Sequence, residues 1–242
     1  MPPPRRRMTN SRFTLILPAA GSSSRFGANK LLASLGGEPV FSRTLLAFLD
    51  HPGLAAVVIA SMHPNALRQA AVKALGRAEI QGISVQFVEG GDCRAQSVAN
   101  AATASPADVE WLAIHDAARP LVSRQLIDAT LDAALARGAA APAVPVTSTI
   151  KEATGPLPAA VTRTLSRQSL WALQTPQIVR RNSLLDALAG CVVPLNQITD
   201  DLQLIELAGG QTWLVPGEER NLKLTTAGDL TVAETLLHQA GE

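Results

Sequence analysis

The chain has 242 residues, of which 47% are hydrophobic and 17% charged, and 21 Lys and Arg side chains nearly balance 20 Asp and Glu for a formal net charge of +1. This composition excludes a mainly disordered chain, and the small net charge provides no domain-wide basic face for nucleic acid. The cysteines, Cys93 and Cys191, are far apart in sequence, which argues against a disulfide framework or a zinc site. We therefore expect a cytoplasmic protein that does not bind nucleic acid.

The first eleven residues precede the first apolar run. Arginine-rich residues 5–12 followed by apolar residues 13–17 superficially resemble a signal peptide, but the apolar run is shorter than the roughly 7–15 residues that such a peptide needs. No stretch reaches the roughly 20 apolar residues of a transmembrane helix. We expect residues 1–11 to form a disordered leader, with Met8 as an alternative start, and we expect no membrane association.

Short apolar runs alternate with longer helical patterns along the rest of the chain, which is typical of a mostly parallel sheet with helices on both faces. The pattern predicts strands at residues 13–17, 56–60, 84–88, 111–114, 141–146 and near 211–215. It predicts helices at residues 40–49, 65–75, 95–104, 124–137, 180–188, 200–208 and 227–239. Residues 12–242 are therefore predicted to form one doubly wound α/β domain.

A polar, turn-rich segment interrupts this rhythm at residues 147–164. Two short strands joined by a turn around residues 155–158 predict a β-hairpin that projects from the sheet. A two-stranded hairpin alone is marginally stable in water. We therefore expect a second subunit to cover it.

A loop of small residues follows the first predicted strand. Residues 17–30 read Leu-Pro-Ala-Ala-Gly-Ser-Ser-Ser-Arg-Phe-Gly-Ala-Asn-Lys. Small residues let backbone N–H groups approach a phosphate, and Arg25 and Lys30 add positive charge around the same turn. The loop lacks the spacing of a Walker A motif and of the dinucleotide G-x-G-x-x-G fingerprint. It predicts a triphosphate-binding loop, with an ordinary small-residue turn as the alternative.

Glycines also mark the loop after the third predicted strand. Gly90 and Gly91 permit close approach to a flat base, and Asp92 is placed to cap the next helix, whose N-terminus favours anions. Ser97 follows in the first turns of that helix. A purely capping Asp92 is the alternative, but ligands in open α/β sheets bind at the carboxyl ends of strands, where both loops fall.

Charged residues follow the fourth predicted strand. The carboxylate of Asp116 at the end of this strand is suited to hold Mg²⁺ or ribose hydroxyls. We interpret His115 as a core histidine or as one that supports a neighbouring functional residue without contacting a ligand. For Arg119, a structural ion pair and a functional contact are equally compatible with the sequence.

These loops, in this order, resemble those of the nucleotidyltransferases, and in particular the cytidylyltransferases that act on 2-C-methyl-D-erythritol 4-phosphate in the non-mevalonate isoprenoid pathway. The resemblance extends from Leu15 to Leu237, and its later segments are residues 149–151, Arg167, residues 174–177, residues 198–201 with Glu206, and residues 221–225. It implies a Rossmann-like nucleotidyltransferase fold and a homodimer formed through an arm of residues 147–168.

The resemblance also implies a role for each matching nucleotide-site residue. Contacts with CTP are implied for Ala19, Ala20 and Gly21. Stabilisation of charge on the transferred group is implied for Arg25 and Lys30. Recognition of cytosine is implied for Gly91, Asp92 and Ser97. Contact with the ribose and the Mg²⁺ region is implied for Asp116 and Ala117.

The acceptor half of the site is implied in the same way. The sugar phosphate would be positioned by Thr149, Thr199, Lys223 and Arg167, the last reaching across from the neighbouring subunit. This set includes arm residues, so the implied active site is shared between two subunits.

The first loop departs from the family pattern. Residues 22–24 are serines where the family carries a further glycine, Asn29 replaces a usual proline, and residues 31–32 are Leu-Leu instead of Gln-Tyr. Two alternatives therefore stay open: a ribitol 5-phosphate cytidylyltransferase with nearly the same nucleotide loops, or a catalytically silent nucleotide-binding scaffold. Ala227 replaces a common proline, which affects a helix start rather than the chemistry.

Overall fold

A computed structural model of this chain describes residues 11–21, 29–77 and 83–239. The predicted leader up to residue 10, the serines at 22–24 and Arg25 lie outside the described residues. Within the described ranges the strands are β1 (Phe13–Pro18), β2 (Ser34–Leu35), β3 (Glu38–Pro39), β4 (Leu54–Ser61), β5 (Ser84–Glu89), β6 (Trp111–Ile114), β7 (Ala139–Pro145), β8 (Ile150–Ala153), β9 (Val161–Leu165), β10 (Trp171–Leu173), β11 (Gln177–Arg180) and β12 (Trp213–Pro216). The helices are α1 (Val40–Leu49), α2 (Pro64–Arg77), α3 (Arg94–Ala104), α4 (Arg124–Arg137), α5 (Arg181–Ala189), α6 (Asp201–Leu207) and α7 (Ala227–Gln239), with 3₁₀ turns at Arg167–Ser169 and Leu195–Gln197.

Parallel strands form the centre of the main sheet. β5, β4, β1 and β6 lie side by side and run parallel to one another. Beyond β6 the sheet continues with β11, which is antiparallel to both β6 and β7, and with β12, which is parallel to β7. The arrangement confirms the predicted mostly parallel sheet, with an antiparallel insertion that the sequence pattern did not indicate.

Both faces of the sheet are covered by helices, and β1 shows why. Its side chains alternate between two hydrophobic cores, as expected for a strand buried on both faces. Phe13, Leu15 and Leu17 pack with α1, α2, α4 and α7, whereas Ile16 packs with α3, α5 and α6. A continuous apolar run, rather than an alternating one, is therefore the sequence signature of this strand.

The predicted elements match the structure in type, and four of them match in their bounds. Strand β6 and helices α1, α4 and α7 have the predicted ends, and Gly138 ends α4 with a φ of 97°. The short strands β2, β3, β10 and β11 were not predicted from the sequence pattern. β10 and β11 were missed because residues 174–176, which include a proline, separate two runs of only three and four residues.

The predicted hairpin is present as β8 and β9. These strands pair antiparallel with each other, and within the described part of the chain they pair with no other strand. Their cross-strand contacts are polar, with Arg163 donating to Glu152 at 2.8 Å and Lys151 donating to Thr164 at 2.7 Å. The hairpin therefore adds almost nothing to either hydrophobic core.

Among the helices that the structure describes, none has the length and apolar character required to cross a lipid bilayer.

Candidate active site

A cavity of about 530 Å³ opens at the carboxyl ends of β1, β4, β5 and β6. Each of these parallel strands contributes its following loop to the wall, as expected for a ligand site in an open α/β sheet. The residues predicted from the sequence that line the cavity are Ala19, Ala20, Gly21, Lys30, Gly91, Asp92, Ser97, Asp116, Ala117 and Lys223. The three loops singled out in the sequence thus meet around one space.

Three other predicted residues do not line the cavity of their own chain. Thr149 and Arg167 are exposed and flank the two strands of the hairpin, where Arg167 donates to the carbonyl of Thr147. Thr199 is exposed before α6, and its hydroxyl donates to Gln203 at 3.1 Å. The remaining predicted residue, Arg25, lies outside the described residues.

Close backbone approach explains the two glycines of the second loop. A Cβ at Gly90 would lie 2.4 Å from the Cβ of Ala20, and a Cβ at Gly91 would lie 2.2 Å from the Cγ of Gln96. Real Cβ atoms do not approach other carbons so closely, so both positions need glycine. The loops after β1 and β5 therefore touch and form one continuous wall.

The start of α3 corrects one prediction. The helix is capped by Cys93, whose Sγ accepts the N–H of Gln96 at 3.4 Å, and not by Asp92. Asp92 is one residue too early in the chain and lies on the cavity wall. Ser97 stabilises the same turn, since its hydroxyl accepts the N–H of Gly91 at 3.0 Å and donates to the carbonyl of Cys93 at 3.1 Å.

Asp116 lies at the centre of a charge cluster on the cavity floor. Its Oδ1 lies 3.2 Å from Nε of Arg94, and its Oδ2 lies 3.3 Å from Nε of Arg119 and 3.0 Å from Nζ of Lys223. Burial alone would raise the pKa of Asp116, but Arg94, Lys223 and Arg119 outweigh it and hold this pKa well below its usual range. Asp116 is therefore a carboxylate with both oxygens engaged.

His115 is a core residue, as the sequence analysis favoured. It is fully buried, and its Nε2 lies 3.0 Å from the carbonyl of Arg119, which can only accept a hydrogen bond. Nδ1 then accepts from the hydroxyl of Thr175 at 3.0 Å, and that oxygen accepts the backbone N–H of Asp116 at 3.0 Å. Burial lowers the pKa of His115 to about 4, which favours the neutral ring that this chain of hydrogen bonds requires.

The segment that carries Lys223 is attached to the same loop. Arg119 donates to the carbonyl of Asn221 at 2.7 Å, and the buried amide of Asn221 donates to the carbonyl of Thr175 at 2.8 Å. Leu224 also donates its backbone N–H to the loop after β6 at 2.9 Å. Of the two interpretations of Arg119, the structure supports the structural ion pair, since its contacts fix Asp116 and Lys223 relative to each other.

Two residues of the cluster were missed from the sequence. Arg94 Nη1 and Nη2 donate to the two oxygens of Asp201 at 2.9 and 2.8 Å. One signal was available: Arg94 is the first residue of α3, where the helix dipole disfavours a cation, and the first turn has no acidic side chain. An arginine in that position indicates a carboxylate partner from elsewhere in the chain.

The described residues do not fit a Mg²⁺ ion bound directly to Asp116. Both of its oxygens already have cationic partners, and the described ranges contain no group of three or more His, Cys, Asp or Glu side chains placed to hold a metal. A dication against this carboxylate would also lie beside the positive charges of Arg94, Arg119 and Lys223, which would repel it. The cluster suits an anionic ligand better, because three cationic side chains face the carboxylates of Asp116 and Asp201.

Comparison with known proteins identifies the family of this chain. The model of the 2-C-methyl-D-erythritol 4-phosphate cytidylyltransferase family (IspD) matches residues 13–239. The 2-C-methyl-D-erythritol 4-phosphate cytidylyltransferase of Gloeobacter violaceus is 39% identical over 92% of this chain and 95% of its own length. Crystal structures of this enzyme from Thermus thermophilus and Francisella tularensis are 32% and 29% identical, with TM-scores of 0.72 and 0.77, and cover 94% and 93% of this chain and 99% of theirs. The chain therefore belongs to the 2-C-methyl-D-erythritol 4-phosphate cytidylyltransferase family and is a nucleotidyltransferase of the non-mevalonate isoprenoid pathway.

Proposed function

We propose that this chain joins CTP to 2-C-methyl-D-erythritol 4-phosphate, giving 4-diphosphocytidyl-2-C-methyl-D-erythritol and pyrophosphate. The observation that carries the proposal is the single cavity in which the small-residue loop, the glycine loop and the Asp116–Lys223 cluster meet. Its backbone-lined side suits a nucleotide, and its cationic floor suits a second phosphate. Family membership supports the identity of both substrates.

The reaction would be an in-line attack of an acceptor phosphate oxygen on the α-phosphorus of CTP, with pyrophosphate as the leaving group. The attacking group needs no general base, because a phosphate monoester with a second pKa of about 6 is largely ionised at neutral pH. The main tasks are to hold two mutually repelling anions in line and to stabilise the charge that develops between them. We assign charge stabilisation to Lys30 and Arg25, and the acceptor phosphate to Lys223.

A requirement for Mg²⁺ remains a prediction from the family resemblance. Mg²⁺ is commonly bound by substrate phosphates with few protein carboxylates, so its ligands would come mainly from CTP. When bound there, the ion would neutralise phosphate charge. We assign no step of the mechanism to it, because Asp116 is held by Arg94, Arg119 and Lys223.

We further propose a homodimer in which the hairpin of one subunit completes the acceptor site of the other. Thr149 and Arg167 are exposed and lie outside the cavity of their own chain, which supports a role in a neighbouring cavity. Exposed Val161 and Trp171 supply apolar surface on and next to the hairpin strands. The sparse, widely spaced cysteines support a cytoplasmic location.

The acceptor is tested by measuring pyrophosphate release with CTP and Mg²⁺, using 2-C-methyl-D-erythritol 4-phosphate or D-ribitol 5-phosphate. We expect release that is selective for the methylerythritol compound. Selective release with ribitol phosphate would keep the nucleotide half of the proposal and replace its acceptor. No release with either compound, together with a raised melting temperature in CTP, would favour the silent scaffold.

A further inference from the structure

Arg94 bridges two carboxylates that differ in their exposure to the cavity. Its Nη1 and Nη2 are paired with Asp201, whose side chain is 1% exposed, and its Nε reaches Asp116 at 3.2 Å. Asp201 faces away from solvent at the start of α6, where the side chain of Gln177 accepts its backbone N–H at 2.7 Å. Asp201 is thus a fixed anchor, and Arg94 extends from it to the cavity floor.

Arg94 does not need its contact with Asp116 in order to neutralise the buried carboxylate of Asp201. A bidentate pair already neutralises Asp201, as the planar guanidinium fork matches a carboxylate. The third contact directs Oδ1 of Asp116 toward Arg94 and leaves Oδ2 to Arg119 and Lys223. Burial opposes the charge on Arg94, but Asp201 and Asp116 outweigh it and hold the pKa of Arg94 above its usual value.

This division of contacts affects Lys223 directly. Lys223 lies 3.0 Å from Asp116, so an acceptor phosphate must compete with that carboxylate for the ammonium group. Opposite charges at this distance attract strongly in a partly buried site. The positive charge of Arg94 offsets part of the negative charge of Asp116, so Asp116 attracts Lys223 less strongly than it would alone. Without Arg94, Asp116 would have two cationic neighbours and would bind Lys223 more tightly.

We infer that Arg94, anchored by Asp201, is a positioning residue that orients Asp116 and keeps Lys223 available to the acceptor phosphate. The inference rests on the proposed position of that phosphate beside Lys223. It assigns Arg94 and Asp201 to the acceptor half of the reaction, although Arg94 follows the glycine loop that we assign to the nucleotide.

The test neutralises the pair while leaving no buried charge alone. In the double variant Arg94→Gln/Asp201→Asn both charges are absent, and such replacements of buried ion pairs are often tolerated, whereas loss of one partner is not. The matched control is Arg124→Gln/Asp128→Asn on α4, which neutralises an arginine–aspartate pair 2.9 Å apart outside the cavity lining. For each protein, the melting temperature, the CTP dissociation constant, and kcat and KM for the acceptor are measured.

We expect the Arg94/Asp201 double variant to fold and to bind CTP with a dissociation constant within about threefold of the wild-type value. Its kcat/KM for the acceptor should be lower on the order of a hundredfold, largely through a higher KM. A misplacement of about 1 Å in an active site can cost that much. The control should match the wild type in CTP affinity and in kcat and KM for the acceptor. An acceptor kcat/KM near the wild-type value would overturn the inference. So would equal losses of CTP and acceptor affinity, which indicate a merely structural pair.

Two single variants keep the test decisive. If the double variant does not fold, Arg94→Lys retains the charge without the fork geometry, and an unchanged acceptor KM in this variant would overturn the inference. Lys223→Met examines the underlying proposal separately. A wild-type acceptor KM in Lys223→Met would overturn both the position of the phosphate and the role of Arg94, whereas a raised KM there with unaffected Arg94 variants would overturn the role of Arg94 alone.

Discussion

Individual glycines determine how closely the glycine loop after β5 approaches α3, and Gly91 gives a sharp prediction. In Gly91→Ala the new Cβ would lie 2.2 Å from Cγ and 2.4 Å from Cβ of Gln96, so the loop or the helix must shift. Overpacking typically costs about 1–3 kcal/mol, so we expect the CTP dissociation constant, measured by calorimetry, to rise about tenfold or more.

Gly76→Ala is the matched control for this substitution. Nothing lies within 4 Å of a Cβ at Gly76, which is in α2. Alanine there should leave CTP binding unchanged and stabilise the fold by up to about 1 kcal/mol. Equal CTP affinities for the two variants would contradict the close-approach argument.

His51 predicts a pH dependence of stability. Its Nδ1 accepts the N–H of Gly53 at 2.9 Å, so a proton on this nitrogen would break the bond, and its Nε2 lies 2.9 Å from Asp128. Burial, followed by Arg124, lowers the pKa of His51 in the folded state. The unfolded chain therefore binds this proton more readily, and the stabilisation present above a pH of about 6.5 is lost as the pH falls below it.

Melting temperatures of the wild type and His51→Asn between about pH 7.5 and about pH 5 provide the measurement, since this range spans the ordinary pKa of histidine. The wild type should be more stable at neutral pH, and its advantage should shrink on acidification. His63→Asn, a substitution of the same type at an exposed position, is the matched control. A constant difference for His51→Asn would show that its protonation is not linked to folding.

Residues of the site could be predicted from the sequence where a local pattern marks them, but pairs of residues that are distant in the chain could not. Small residues and charges at strand ends indicated the cavity wall, including Gly91 and Asp116. Arg94 and Asp201 are 107 residues apart in the chain, so no local pattern joins them. Their pairing depends on α3 and α6 packing on the same face of the sheet.

At the scale of elements, α7 begins with a capping box next to the Lys223 segment. The carboxylate of Asp229 accepts backbone N–H groups of Thr225 and Thr226 at 2.7 Å each, and Thr226 Oγ1 accepts the N–H of Asp229 at 3.4 Å. These contacts begin the helix at Ala227, where the resemblance led us to expect a proline. The departure at that position is thereby compensated locally.

Asp229→Ala should lower the free energy of unfolding by about 1 kcal/mol at neutral pH. Hydrogen bonds from Thr225 and Thr226 lower the pKa of Asp229 to about 2, so its contribution is present above about pH 4 and is lost as the pH falls toward 2. Urea unfolding at about pH 7 and about pH 3 measures the change. Asp132→Ala, at an exposed position within α4, should stay within about 0.5 kcal/mol of the wild type, and an equal loss there would argue against a capping role.

Helices were predicted more accurately than short strands. The helical pattern at residues 124–137 predicted both ends of α4. β10 and β11 carry too few residues for a pattern, and their place in the sheet depends on pairing with β7 and β6. The resemblance singled out residues 174–177 without giving them a role, and the structure shows that Thr175 supports both Asp116 and Asn221.

For the whole molecule, the proposed shared site predicts complementation between inactive variants. Arg25→Ala should lower turnover by about 10²–10³-fold, because one preorganised charge contact can be worth that much. Arg167→Ala should fail mainly through the acceptor KM. Coexpressed or remixed subunits of the two variants should regain part of the activity, because one cavity of the mixed dimer receives both native arginines.

The control mixes two Arg25→Ala preparations with different tags, which should regain nothing. Activity in the mixture that equals the sum of the separate variants would contradict a site shared between subunits. Near-normal turnover of Arg25→Ala alone would remove its catalytic assignment.

The overall α/β architecture was predictable because alternating apolar and helical patterns extend over most of the chain. The order of the strands in the sheet could not be predicted in the same way, because β11 lies between β6 and β7 and runs antiparallel to both. That insertion brings the chain back toward the cavity, and it is set by long-range pairing instead of local sequence preference.

The isolated pairing of β8 with β9 has a consequence for how the protein is handled. On the proposed dimer, the hairpin acquires its apolar cover, and the cavity its Thr149 and Arg167, only when two subunits meet. Dilution below the dimer dissociation constant would then reduce turnover per subunit while each cavity still bound CTP. Specific activity plotted against protein concentration would in that case report subunit association directly.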